Sequence, residues 1–130
     1  MQTNAHVTSI ENGIVYYLDR SENISDIDWT KHAKYNGVSL KHVVRGADTK
    51  GLFSSHLVKI EPGCCLELHS HENEYELHEV IAGQGVCFFN KEIVDYHQGR
   101  MLVIPAGEDH SVQAGENGLI LLAKFFPALI

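Results

Sequence analysis

The 130-residue chain predicts an all-β fold, and three observations carry that expectation. Ten short runs enriched in β-branched and aromatic residues fill most of the sequence. Four of the gaps between them are built from turn-forming residues. Helical character is confined to one stretch, residues 21–35.

In chain order, the strand candidates are residues 13–18, 38–45, 51–60, 64–71, 76–82, 86–89, 92–96, 101–104, 110–114 and 118–126. Glu61-Pro62-Gly63, Gly83-Gln84-Gly85, Pro105-Ala106-Gly107 and Glu116-Asn117-Gly118 each fall between two of them and predict turns. Residues 21–35 predict loop with at most a short helix, in which Ser25 or Asp26 caps a turn leading through Trp29 to His32. The segment at about 1–36 predicts an arm ahead of the main strands, and no solenoid-length repeat or low-complexity tract interrupts the rest.

With 44% hydrophobic residues the chain is long enough for one core and too short for two ordinary domains, so a single domain over residues 1–130 is expected. Ten Lys and Arg against 17 Asp and Glu leave a net charge of -7, which argues against a nucleic-acid partner. No apolar run is long enough for a membrane helix, and the start MQTNAHVTSIEN lacks the pattern of a secretion signal. A soluble, cytoplasmic protein without a membrane partner is therefore expected. Cys64, Cys65 and Cys87 suggest no disulfide framework and read as small buried hydrophobes in a reducing compartment. Asn23-Ile24-Ser25 fits a glycosylation pattern that carries no weight without such a signal.

Ten short strands suggest a sandwich or barrel whose interior is lined by alternate residues. In 51–60, Leu52, Ser54, His56, Val58 and Ile60 share one face and Lys59 ends the other, which places His56 inside. In 38–45, Leu40, His42 and Val44 oppose Lys41 and Arg45, which makes His42 a second interior histidine.

The densest chemistry lies in 69–79. His69 and His71, two apart, leave one face of a strand with Ser70 on the other, a metal-chelating pair. Glu76, His78 and Val80 share a face of the next strand, and a turn containing Glu72 to Tyr75 would bring Glu76 back beside the histidines. The turn from Pro105 to Asp109 delivers His110 at a strand start. Three neutral imidazoles and a carboxylate suit one divalent transition metal, Fe, Mn, Ni, Cu or Zn. Glu72, Glu74 and Glu79 are expected to be solvated or paired at the surface.

The remaining polar candidates rank lower. His78 reads as a partner of the metal ligands, a substrate contact or a satisfied core histidine; His42 and His56 read as pocket lining. Glu67 falls on His69's face if alternation holds, either as a general base or beyond the barrel's mouth. Tyr75, Tyr96 and His97 are expected at the surface or rim. Phe125 and Phe126 are expected to close the core or a dimer contact. Gly83-x-Gly85 is no dinucleotide loop, because it leads into a strand.

These residues resemble the cupins. Gly63, five residues, His69-x-His71, four residues, Glu76, six residues and Gly83 reproduce the first cupin motif. Gly99, five residues, Pro105-x-Gly107, two residues and His110 reproduce the second, which then departs at Ala114, where the family carries an Asn that does not bind metal. The motif regions 63–83 and 99–110 span under half the chain, and their short separation resembles small single-domain cupins. The resemblance implies a jelly-roll β-barrel, a metal held by His69, His71, Glu76 and His110, and a homodimer.

Two functional readings follow. In one, a metal-dependent dioxygenase, lyase or isomerase acts on a small polar metabolite while His78, His56 or Glu67 moves a proton. In the other, a non-catalytic cupin binds or senses a small molecule through a structural or docking metal.

Overall fold

A computed structural model describes residues 9–130. Its strands are β1 (Ile14–Tyr16), β2 (Ser21–Asn23), β3 (Thr30–Lys31), β4 (Val38–Val44), β5 (Ser54–Ile60), β6 (Cys65–His69), β7 (Tyr75–Phe89), β8 (Glu92–His97), β9 (Met101–Ile104) and β10 (His110–Phe126). The pair β1–β2 stands apart from an eight-stranded antiparallel sheet of order β3-β4-β5-β10-β7-β8, with β6 on β10 and β9 on β7. The fold is a jelly roll.

Two long strands link its halves. The C-terminal half of β10 lies between β5 and the start of β7, whereas its N-terminal half lies between β6 and the end of β7. Two expected turns are therefore corrected. Gly83-Gln84-Gly85 lies within β7 and Glu116-Asn117-Gly118 within β10, so both sites bend a continuing strand instead of reversing it. Glycine is needed here for closeness as much as for conformation. A Cβ on Gly83, at φ +78, would overlap the Gly118 carbonyl, and one on Gly85 would overlap the Gln113 carbonyl. The turns at 61–63 and 105–107 are real reversals, closed by Cys64 N–H to Glu61 O (3.0 Å) and Glu108 N–H to Pro105 O (3.2 Å).

Alternation sets the interior in layers that follow the cross-strand register. Val38, Ile60 and Leu119 form one layer, and Leu40, Val58, Leu121 and Val80 the next. Above them His42, His56, Ala123, His78 and Leu102 lie in one row, and then Ser54, Phe125, Glu76 and Ile104 in another. The interior thus changes from aliphatic to polar along the barrel, and the ligand-type side chains collect at one end.

The outer face of β4, β5 and β10 is covered as well. Ile10, Val15, Ile24 and Trp29 pack against Val43, Leu57, Ile120 and Leu122, so both faces of β5 are buried. Within this arm, residues 21–35 hold the expected short helix as a 3-10 turn at Ile24–Asp26, but Asn23 rather than Ser25 or Asp26 is its cap, and two short strands, β2 and β3, replace part of the expected loop. Asn23 caps the turn by position; its side-chain amide donates to Asp26 Oδ2 (3.4 Å) rather than receiving a backbone N–H. The first eight residues of the expected arm lie outside the described residues. Lys41 is buried under the arm, where its ammonium donates to Ile24 O (3.2 Å) and lies 5.1 Å from the Trp29 ring centre.

Two bulges break the strict alternation. Between the pairs His42–His56 and Val44–Ser55, β4 has one residue more than β5, so Val44 turns to the outer cluster instead of sharing the face of Leu40 and His42. Between Leu66–Val112 and His69–His110, β6 has one residue more than β10. Glu67 and Leu68 are both exposed there, which corrects the expectation that Glu67 shares His69's face.

Replacing Gly83 by Ala should cost about 2 kcal/mol or more in urea unfolding, because strain at positive φ adds to backbone overlap. Gly99→Ala, at φ +91 with open space around it, should cost about 1 kcal/mol. Equal losses would remove close approach as the reason for Gly83.

Candidate metal centre

The β6 bulge aims His69 inward, and the strand ends there, so His71 follows in the connection rather than on the strand. The His71 carbonyl accepts from Gly107 N–H (2.8 Å), tying this connection to the turn that leads into β10. His110 opens β10 directly opposite His69, and Glu76 is the second residue of β7. The four expected ligands come from two strand starts, one strand end and one loop, and among the described residues no single cluster within 4.8 Å holds all four.

They form two overlapping groups: His69, His71 and His110, and Glu76, His78 and His110, with the ligand atoms in each group within 4.8 Å of one another. Glu76 Oε1 bridges the groups, lying 3.1 Å from His110 Nε2 and 3.6 Å from His71 Nε2. Donors about 2.1 Å from one ion stand roughly 3.0–3.4 Å apart in octahedral or tetrahedral arrangements, so these separations are of the right size.

The backbone prepares two of the imidazoles. His69 Nδ1–H donates to Glu67 O (2.7 Å) and His110 Nδ1–H donates to Glu108 O (3.0 Å), which leaves both Nε2 lone pairs facing the centre. Glu67 thus meets the site through its carbonyl, not its carboxylate.

Glu76 Oε1 and His110 Nε2 are the buried side-chain polar atoms among the described residues that lack a hydrogen-bond partner. With His110 neutral, two sets of lone pairs face each other, an arrangement that needs a cation between them or a proton on the imidazole. Burial alone would lower the His110 pKa, yet the Glu76 carboxylate and the Glu108 carbonyl raise it above the ordinary histidine value. Burial would likewise raise Glu76, but His78 and His110 overcome it and hold the carboxyl well below its usual range. Desolvation brings His69 down to about 4 and also lowers His71, keeping both neutral as ligands must be. The residues fit a divalent transition metal on these grounds.

His78 is in the second group, but both its nitrogens are engaged. Nε2–H donates to Glu76 Oε2 and Nδ1 accepts from the Tyr96 hydroxyl, both at 2.8 Å. It therefore orients the carboxylate from behind. Tyr96 is corrected from surface or rim to core: it is 1% exposed, and the signal was its alternation with half-buried Val94 on β8. Tyr75 and His97 are exposed as expected, and Glu79 pairs with Lys124 at 2.6 Å. Phe125 is in the core with its ring 4.9 Å from His71 and 5.6 Å from His56, while Phe126 is exposed. Tyr35, 6.5 Å from His69 and part of the core margin, is a neighbour of the site that no motif spacing singles out.

His56 is buried beside the site, as alternation implies, and faces half-buried His42 with their Nδ1 atoms 2.8 Å apart. Burial brings the His56 pKa down to about 4, with smaller contributions from His42 and Arg45.

Residues 56–122 match the family described as "Cupin domain". A 67-residue stretch is 34% identical to the oxalate-binding protein of Thermotoga maritima, covering 51% of this chain and 55% of that relative. The match thus spans about half the length of the curated relative. Among solved structures, a Thermotoga maritima protein described as a predicted oxalate decarboxylase superposes with a TM-score of 0.73 at 26% identity, covering 79% of this chain and 95% of that one. A variant of the oxalate decarboxylase of Bacillus subtilis gives 0.69 at 26% identity, covering 82% of this chain and 29% of that one.

Because His56 resists protonation until about pH 4 when folded and titrates near 6.5 when unfolded, the unfolded chain binds the extra proton between these values. Its contribution to stability is fully present above about pH 6.5 and is lost as pH falls towards 4. The urea midpoint of metal-free protein should accordingly drop between pH 7 and pH 5, and drop less in His56→Gln. Equal drops would show that His56 is not held neutral by the fold.

Proposed function

The chain belongs to the cupin domain family, and on that footing we propose that it holds one divalent transition metal through His69, His71, Glu76 and His110 and binds a small, oxygen-rich carboxylate there. The observation that carries this reading is the sealed, unpartnered pair of Glu76 Oε1 and His110 Nε2 beside two further imidazoles. The carboxylate class is supported by the oxalate-binding relative and the decarboxylase-like structures.

When bound, Fe, Mn or Ni in octahedral coordination would add Lewis acidity and two positions for a chelating ligand, whereas tetrahedral Zn would be filled by the protein. The chain's own residues do the rest. The carbonyls of Glu67 and Glu108 fix the imidazole tautomers, His78 with Tyr96 behind it aims Glu76, and Phe125 walls the centre with an apolar ring.

Of the groups expected to move a proton in a dioxygenase, lyase or isomerase, Glu67 points its carboxylate outward and His78 has both nitrogens engaged. His56, with His42 beside it, is the carrier that an enzyme reading retains. Binding without turnover is the reading this favours.

A homodimer is part of the same proposal. Tyr75, Met101, Val103 and Phe126 are exposed on the outward face of β7, β9 and β10, and β9 pairs on one side only. Light scattering should return twice the chain mass, and a monomer at micromolar concentration would sink this part.

Purified protein should carry about one transition-metal ion per chain by elemental analysis and lose most of it in His110→Ala. Metal-loaded protein should bind oxalate in calorimetry, and metal-stripped protein should not. Binding unaffected by stripping would overturn the reading. Carbon dioxide release or oxygen uptake with bound ligand would convert it to the enzyme reading.

A further inference from the structure

Beyond the candidate metal ligands, the interior holds a second polar chain in the same cross-strand row as His78. Ser54 Oγ accepts from Leu129 N–H (3.0 Å) and lies 2.8 Å from His56 Nε2, and His56 Nδ1 lies 2.8 Å from His42 Nδ1. Ser54 and His56 are sealed, whereas His42 is half-buried. Among the described residues nothing hydrogen-bonds His42 Nε2, and it is not one of the sealed unpartnered atoms, so this nitrogen meets solvent.

The chain has two neutral forms. If the Ser54 hydroxyl donates to His56 Nε2, then His56 Nδ1–H donates to His42, which carries its own proton on Nε2. If His56 Nε2–H donates to Ser54, then His42 Nδ1–H donates to His56, and His42 Nε2 is a bare acceptor. The exposed nitrogen can thus present a donor or an acceptor without any change in net charge.

Register places this chain within reach of the metal centre. His42, His56, Ala123 and His78 occupy one row on four adjacent strands, so His56 and His78 are two strand spacings apart, roughly 10 Å at the backbone. Ala123 between them contributes only a methyl group, and Phe125 walls the same gap with contacts to both His56 and His71. A small ligand on the metal would extend over that methyl towards the histidine pair.

The groups facing the pair explain its charge state. His42 comes from β4 and Arg45 from the residue just after it, Ala123 and Phe125 from β10, Glu76 and His78 from β7, and the Leu129 N–H from the C-terminal segment. The single carboxylate among them, Glu76, is already engaged by His78 and His110. An incoming anion would be the missing counter-charge.

We infer that His42, held by His56 and Ser54 behind it, is the second recognition point of this interior: it takes a metal-remote oxygen of a small dicarboxylate and gains one proton from solvent as the ligand binds. The inference rests on the carboxylate-binding reading above. Desolvation keeps both imidazoles neutral in the free protein, and an anion at hydrogen-bond range of His42 favours its protonated form.

The test is titration calorimetry of metal-loaded protein with oxalate at pH 6 in buffers of different ionisation enthalpy. Wild type should take up a substantial fraction of one proton. His42→Gln keeps an amide beside His56 but cannot hold a charge; it should abolish the uptake and weaken oxalate roughly tenfold, while acetate changes less. Metal content and thermal unfolding of the variant show whether it folds. If it does not, nitrogen-15 histidine spectra of wild type with a diamagnetic metal provide the same readout, since oxalate should shift one imidazole of the pair to its protonated form. Oxalate binding without proton uptake, or with equal uptake and affinity in His42→Gln, overturns this inference alone. Metal-loaded wild type that binds no oxalate overturns the carboxylate reading and this inference with it.

Discussion

The structure depends on one electrostatic constraint, the burial of the Glu76 carboxylate among imidazoles. One oxygen is satisfied by His78; the other faces the lone pair of His110 and the edge of His71. A carboxylate sealed this deeply is tolerable only with positive charge at Oε1, and the fold leaves no Lys or Arg there to provide it. In metal-free protein a proton on His110 meets the same need: against burial, the Glu76 carboxylate raises the His110 pKa, whereas burial lowers those of His69 and His71. A divalent ion answers the same need with stronger attraction and with ligands already oriented by backbone carbonyls.

That arrangement is a product of β-register. Because side chains alternate with period two, each cross-strand row delivers its residues to the same depth of the interior. The lower rows are aliphatic and carry the hydrophobic stabilisation; the upper rows carry His42, His56, His78 and Glu76. Long, bent strands are needed because β7 supplies Glu76 and His78 to one half of the jelly roll and Cys87 to the other, while β10 supplies His110 at one end and Phe125 at the other. The contacts of Gly83 with Gly118 and of Gly85 with Gln113 let the two strands cross this bend in close approach.

The sequence made the candidate metal ligands legible because their spacing is local: one residue between the two histidines, a short turn to Glu76 and a Pro-Gly turn before His110. Burial of His56 followed from alternation in the same way. What alternation could not supply was the location of its own failures. The extra residues in β4 and β6 are defined only by pairing with distant partners, so Val44 and Glu67 were assigned to the wrong faces. The glycine-rich segments at 83–85 and 115–118 have turn composition, and only the contact between them shows that the strands run on. Tyr96 looked peripheral because its role requires knowing that β8 lies beside the end of β7, where its hydroxyl reaches His78.

The same geometry bears on the choice between holding a ligand and transforming it. Proton transfer needs a group with a free lone pair or proton at the reacting atoms and a pKa near the working pH. His69 and His110 have their Nδ1 protons fixed on carbonyls, His78 is engaged at both nitrogens, and Glu67 lies outside. Each of these engagements adds rigidity and removes a carrier. The His42 and His56 pair keeps a nitrogen that can change role by tautomer shift, and His56 sits two strands from the Glu76 carboxylate. On the proposed reading, a small anion held at the metal centre would meet this pair at its far end, and proton movement would belong to that end.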